Sequence, residues 1–169
     1  MTKPFRVLIA DAMSSRADEI LDACPAVECD VRAGISADEL LDCIGDYQGL
    51  LVRSRTKVTA EILEKANQLK VIGRAGIGVD NIDVVAATKR DIIVQNAPTG
   101  NTTTTAEHAI CLLLSLVRHI PAATASMKQD KWEKKKFQGT EICGKTYGVI
   151  GLGNIGRIVA GLGKGLNMN

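Results

Sequence analysis

Short apolar runs rich in valine and isoleucine alternate along this chain with stretches whose apolar positions recur every three or four residues. Such runs read as strands of a parallel sheet and the stretches between them as crossover helices, the signature of an α/β fold. The pattern predicts strands at 5–9, 49–52, 70–73 and 92–94, with helices at 14–21, 36–44, 60–67 and 83–89 between them. Ser36 followed by Glu39 has the spacing of a capping box. Ile62, Leu63 and Ala66 fall on one side of the third helix.

The organisation changes after Pro98, which divides the chain into an expected first domain at 1–98 and a second at 99–169. Thr104 and Glu107 repeat the capping-box spacing at the start of a helix expected to reach His119. Its apolar positions, among them Ala106, Ile110, Leu113 and Val117, give it a broad face suited to a hinge between domains. Pro121 stops that helix or opens the next at its first turn, and 122–132 reads as helical. A lysine-rich connection then leads to an expected strand at 146–150 and a final helix. Gly161, Gly163 and Gly165 lie inside that helix and weaken it, each by about 1 kcal/mol relative to alanine.

Composition narrows the class of function. Of the 169 residues 46 % are hydrophobic, ample for a core, and the net charge of +2 lacks the concentrated basic field of a nucleic-acid binder. An aromatic fraction of 3 % argues the same way against base stacking. The five cysteines are irregularly spaced, without a CxxC pair, and read as reduced small hydrophobes. No metal site is expected. The first apolar run turns polar at Asp11, unlike a secretory leader, and the longest apolar run, 110–114, is too short to span a bilayer. A cytoplasmic protein without nucleic-acid or membrane partners is the expectation.

Three groups of residues carry candidate chemistry. Gly151-Leu-Gly153-Asn-Ile-Gly156 follows an apolar run and opens a helical stretch, the context in which GxGxxG binds a dinucleotide. There Gly151 allows a tight turn, Gly153 lets a pyrophosphate approach the backbone, and Gly156 lets the helix pack closely. The helix's free N–H groups then face the phosphates. The acidic or basic residue that selects NAD or NADP falls roughly 20 positions further on, near or after Asn169. The second and third groups end strands: Arg53-Ser-Arg-Thr-Lys57 and Gly73-Arg-Ala-Gly-Ile-Gly-Val-Asp-Asn81. Arg53 and Arg74 then arrive at the carboxyl edge of the sheet, where ligands bind, and arginine grips carboxylate or phosphate through two N–H bonds. Gly76 and Gly78 leave room for a nest of backbone N–H groups around an anion. Arg55 reads as surface, while Asp80 and Asn81 read as capping the next helix and bracing the glycine loop. Asn101 ends a rigid polar turn and either faces the crevice or serves the turn alone. His108 and His119 have no Ser/Asp relay beside them and read as helix or interface histidines. The segment 130–137 reads as a solvated lysine cluster anchored by Trp132 and Phe137, with anion or subunit contact as the other reading.

Taken together, segments 51–60, 71–81, 96–101, 131–137 and 144–157 resemble the D-isomer-specific 2-hydroxyacid dehydrogenases. The resemblance implies a flavodoxin-like substrate domain followed by the truncated start of a Rossmann NAD-binding domain, in a protein that works as a homodimer or homotetramer. It implies NAD-linked oxidation of a small phosphorylated or carboxylated acid, 3-phosphoglycerate to 3-phosphohydroxypyruvate. Another D-2-hydroxy acid such as glyoxylate or hydroxypyruvate, or a non-catalytic NAD-sensing module, remain as alternatives. By the same resemblance Arg53, Ser54 and Asn101 orient the substrate's acidic groups, and Arg74 and Gly76 belong to the adjoining substrate loop. Ile77 stands where many relatives carry a threonine near the nicotinamide; Gly151, Gly153, Asn154, Ile155 and Gly156 meet the cofactor. The family's acid/base histidine and glutamate, and its arginine for the 2-oxo acid, match no residue of this chain. No catalytic residue is therefore assigned, the chain is expected to be inactive alone, and residues after about 140 are expected to be mobile or aggregation-prone.

Overall fold

The computed structural model describes residues 4–169, which fall into two compact units, the first ending at Gly100 and the second spanning Asn101–Asn169. In the first unit five strands, β1 (Phe5–Ile9), β2 (Val27–Val31), β3 (Gly49–Val52), β4 (Val71–Arg74) and β5 (Ile93–Asn96), form one sheet in the order β2-β1-β3-β4-β5. Every neighbouring pair is parallel. Four helices connect the strands: α1 (Ser15–Asp22), α2 (Ala37–Cys43), α3 (Ala60–Lys65) and α4 (Val84–Lys89). The register places Leu8, Leu50, Ile72 and Val94 side by side in one row across the sheet. Leu8, Leu50 and Ile72 are fully buried, and Leu40, Ile44, Ile62, Leu63, Ala66 and Ala87 pack with them into one core. A parallel sheet needs such near-continuous apolar strands, which is why β1, β3 and β4 are readable from hydrophobicity alone.

Most local signals operate as their chemistry dictates. Ser36 Oγ accepts from the Glu39 N–H, and the Glu39 carboxylate accepts from the Ser36 N–H at 3.0 Å, so the capping box at α2 is closed in both directions. Thr59 caps α3. At α4 the cap is Asp83, whose carboxylate accepts from Ala86 N–H at 2.8 Å, rather than Asp80 or Asn81. The edge strand β2 is an addition to the expected elements. Its Val27, Cys29 and Val31 alternate with Glu28 and Asp30, a period-two pattern broken by charge because an edge strand need not be apolar on both faces.

Beside this edge, the Tyr47 hydroxyl donates to the Asp30 carboxylate at 2.5 Å, and Arg32 completes the cluster at 2.9 Å. Arg6 lies over the Tyr47 ring, 4.8 Å from its centroid. Burial, reinforced by the bond to Asp30, pushes the Tyr47 phenol up to about 12. The bonds from Tyr47 and Arg32 hold the Asp30 carboxyl below the usual range.

The second unit contains α5 (Thr102–Val117), α6 (Ile120–Met127) and α7 (Asn154–Gly165), and no strand among its described residues. Ala106 and Ile110 of α5 meet Val159 of α7, with Tyr147, Val149, Ile155, Ile158 and Leu162 packed around them. Three expectations are corrected here. Helix α5 begins at Thr102, not at a Thr104 cap, because Thr105 N–H already donates to the Asn101 carbonyl and Thr102 is buried. Helix α6 ends at Met127, short of Trp132, which is 78 % exposed. The strand expected at 146–150 does not form. Thr146 is flanked by two bonds, Tyr147 N–H to the Asn169 carbonyl and Asn169 N–H to the Lys145 carbonyl, arranged as in a single parallel rung. One rung is no ladder, and Ile150 and Leu152 remain exposed.

Helix α7 is continuous through its glycines. Burial of Val159 and the packing of its neighbours offset their low propensity, and at Gly163 a Cβ would stand 3.1 Å from the Tyr147 ring. His119, at φ 55, separates α5 from α6, which bend 62° from one another. No single helix among the described residues is long and apolar enough to cross a membrane.

Leu50→Ala is expected to cost about 2–5 kcal/mol by chemical denaturation, whereas Leu116→Ala, on an exposed α5 position, should change stability by less than about 0.5 kcal/mol. Alkaline stability follows from Tyr47. Its folded pKa is raised above the unfolded value near 10, so its contribution is complete below about pH 10 and is lost as pH climbs toward about 12. Tyr47→Phe should flatten the stability loss in that window, measured by denaturation midpoints against pH; an unchanged profile would count against the shift.

Candidate functional site

Because all five strands run the same way, their carboxyl ends gather on one edge of the sheet. The ladder stops there, and the backbone groups beyond it need other partners. After β3 the chain makes a short arch at 53–56, held from two sides. From the β1 side, the buried carboxylate of Asp11 accepts from the Arg53 N–H at 2.6 Å, the Thr56 N–H at 3.2 Å and the Thr56 hydroxyl at 2.9 Å. From the β4 side, the Asn81 amide donates to the Arg53 carbonyl at 2.7 Å and the Thr56 carbonyl at 2.6 Å. A parallel bridge between Val58 and Ile82 fastens the two loops just beyond.

The crown of the arch is left open. Arg53, Ser54 and Arg55 are exposed, and with Asp11, Ala12 and Gly34 they line a cleft of about 300 Å³. The Arg53 guanidinium is steadied by the Ala12 carbonyl at 3.3 Å, and the Arg55 guanidinium rests on Gly34, whose φ of 88 and missing side chain make the space. Two cations, a hydroxyl and unengaged N–H groups at one concave edge suit a small anionic ligand. Arg55 is exposed, as the sequence pattern expects, and it also lines this cleft.

Arg74 and Gly76 occupy the adjoining loop with a different division of labour. The Arg74 side chain is only 11 % exposed, donates to Asn81 Oδ1 at 3.2 Å and pairs with Asp80 at 3.8 Å. Gly76 lacks a side chain so that this guanidinium fits, since a Cβ there would collide with Arg74 Nη1. The Gly76 N–H donates to the Arg74 carbonyl at 2.8 Å and is engaged inside the loop rather than turned toward an anion. Ile77 is half-buried, its carbonyl accepting from the Asn96 amide at 2.6 Å. The structure therefore joins Arg53 to Arg74 through Asn81, while Ile77 is held by Asn96. The sequence marked Asn81 as a loop brace, but its three-way bonding emerges only in three dimensions.

Asn101 and the glycine turn lie in the second unit. Asn101 is exposed and is the N-cap residue of α5, without a side-chain cap bond. Gly151 has φ 94, a conformation that favours glycine, and Gly153 caps α7 with nothing within 4 Å of where a Cβ would stand. A Cβ on Gly156 would strike the Gly151 carbonyl oxygen. The three glycines thus supply the turn, the clearance and the close approach that a diphosphate seated on the N–H groups of α7 requires. Asn154 is exposed and accepts from Arg157 at 3.0 Å, whereas the Ile155 side chain turns into the apolar cluster and leaves only its backbone for a ligand.

The remaining candidates are dispersed. His108 and His119 are exposed. Cys24, Cys111 and Cys143 are exposed and only Cys29 and Cys43 partly buried, so most of the cysteines are not core hydrophobes. Among the described residues no three metal-binding side chains cluster.

These features fit a wider pattern of similarity. Residues 7–161 match the family model described as D-isomer specific 2-hydroxyacid dehydrogenase, catalytic domain. The chain is 51 % identical to a D-3-phosphoglycerate dehydrogenase from Archaeoglobus fulgidus, over 98 % of its own length and 31 % of the relative's. It is 48 % identical to one from Synechocystis sp., over 96 % of its length and 29 % of the relative's. It therefore spans about 30 % of the curated relatives it matches. The crystal structure of the TT0316 protein from Thermus thermophilus superposes with a TM-score of 0.89 at 29 % identity, covering 98 % of this chain and 54 % of that one. With an all-parallel sheet, a polar arch at its carboxyl edge and a family match across nearly its whole length, the chain belongs to the D-isomer-specific 2-hydroxyacid dehydrogenases.

Proposed function

We propose that this chain is the substrate-holding portion, with the start of the cofactor-binding portion, of an NAD-linked D-3-phosphoglycerate dehydrogenase. The observation that carries the reading is the clamped arch presenting Arg53, Ser54 and Arg55 to one cleft, in a chain about half identical to relatives of that name. The strand order β2-β1-β3-β4-β5 is the flavodoxin-like order, whose ligands sit at the carboxyl ends of strands. On this reading residues 1–98 form the substrate domain and 99–169 begin a Rossmann domain, within a cytoplasmic homodimer or homotetramer.

The reaction is the oxidation of 3-phosphoglycerate to 3-phosphohydroxypyruvate. The turn of Gly151, Gly153 and Gly156 would hold NAD, which would supply the acceptor for the hydride from C2. The chain's own residues bind and orient. Arg53, with Ser54, grips the substrate's acidic groups and limits its rotation, and Arg55 adds charge suited to a phosphate. The loop of Arg74, Gly76 and Ile77 walls the site. Gly153 clears the way for the cofactor's diphosphate, and the N–H groups of Asn154, Ile155 and Gly156 receive it. No residue of this chain is assigned the removal of the proton from the C2 hydroxyl.

Steady-state rates of the longer protein with 3-phosphoglycerate and with glycerate test the substrate. The phosphate should raise kcat/KM by a factor of about 100 or more; equal values would shift the assignment to another small 2-hydroxy acid. Glycine variants test the cofactor seat in the same longer protein. Gly153→Ala, with open space around its Cβ, should keep the wild-type Tm yet weaken NAD binding by about tenfold or more, read by calorimetric titration. Gly156→Ala should lower Tm as well. Unimpaired NAD affinity in Gly153→Ala would remove the diphosphate from this turn.

A further inference from the structure

We infer that Asp11 and Asn81 are positioning residues of the anion site, acting together to fix the shape of the arch at 53–56 before any ligand arrives. Neither lies among the residues assigned to substrate above, and the inference rests on the reading of the arch as the substrate's anion seat.

The two side chains bind the main-chain donors and the main-chain acceptors, respectively, of the same two residues. The N–H groups of Arg53 and Thr56 both donate to one carboxylate oxygen of Asp11, and the carbonyls of the same two residues both accept from the Asn81 amide nitrogen. Each end of the arch is therefore gripped on its donor side from β1 and on its acceptor side from the β4 loop. Between the grips, Ser54 and Arg55 have no such restraint and project into the cleft. Asn81 uses both amide hydrogens here, and its oxygen accepts from Arg74 Nε, so one side chain ties the arch to the second arginine loop. Only an amide serves: an aspartate would set a carboxylate against two carbonyl oxygens, and an alanine would leave both carbonyls and Arg74 Nε without these bonds.

Asp11 meets a different requirement. All three of its contacts are donors, from two backbone N–H groups and the Thr56 hydroxyl, and the side chain is buried. An asparagine of the same shape can keep its oxygen toward the two N–H groups and turn its NH₂ toward the Thr56 oxygen, which can also accept. The role is geometric rather than electrostatic, because a negative charge beside Arg53 can only disfavour an anion in the cleft. A pre-set arch spares the ligand the ordering of a flexible loop, so loosening it should appear directly in affinity.

The test uses the 169-residue chain, with 3-phosphoglycerate as the probe in calorimetric titration well below each variant's Tm, and amide hydrogen exchange as the second readout. Asn81→Asp and Asp11→Ala should each weaken binding by about tenfold or more. Asp11→Asn should bind as tightly as wild type or more tightly, a rescue that a charge-based role would not produce. In Asn81→Ala, the Arg53 and Thr56 amides should exchange about tenfold faster while the β3 amides keep their rates. Variants that lose Tm but retain affinity and unchanged exchange at 53 and 56 would reduce both residues to structural fillers and overturn the inference. If wild-type chain shows no binding, the substrate reading fails. The exchange rates still judge the brace: accelerated exchange at 53 and 56 upholds it, and unaltered exchange overturns it.

Discussion

A parallel sheet solves its interior by pairing every strand with its neighbours, and thereby creates an unsolved edge. Where the strands stop, main-chain N–H and carbonyl groups lose their ladder partners together, on one side of the molecule. In this chain the loss is made good at β3 by two polar side chains borrowed from adjacent strand ends. Asp11 supplies acceptors, Asn81 supplies donors, and the loop between them becomes a fixed arch with its crown free. The cleft, the exposure of Arg53 and Arg55 and the burial of Arg74 all follow from that arrangement.

The second unit answers a comparable need at a helix terminus. The first N–H groups of an α-helix have no partner within it, and Gly153 brings no side chain to cap them. Gly151 turns the chain with a left-handed φ, and Gly156 lies where nothing larger would clear the turn. Donors without a side-chain cap, on a helix start cleared of side chains, are the feature on which the proposed diphosphate seat rests.

Much of this is legible in the sequence, for identifiable reasons. The strands β1, β3 and β4 are near-continuous apolar runs, and the capping box at Ser36 and the glycine spacing at 151–156 are local codes that need no tertiary help. The edge strand β2 escapes because its polar positions mimic a loop, and α5 starts two residues before its apparent cap because burial of Thr102 outweighs local spacing. Trp132 looks like an anchor by composition and is exposed, while the segment 146–150 carries strand-forming residues but too few partners to make a strand. At the site, Arg53 and Arg74 are both arginines at strand ends, yet one faces the cleft and the other is locked to Asp80 and Asn81. Arg74's partners Asp80 and Asn81 and the space left by Gly76 lie in its own loop, whereas the arch of Arg53 is held by Asp11 and Asn81, which the sheet brings alongside.

The central claim is that the arch at 53–56 receives the anion. Mapping amide chemical-shift changes on adding 3-phosphoglycerate to the isotopically labelled chain addresses it directly. The account predicts the largest changes at Ser54 and Arg55, with the lysine-rich residues 131–136 little affected. Changes concentrated on those lysines, with Ser54 and Arg55 silent, would contradict it.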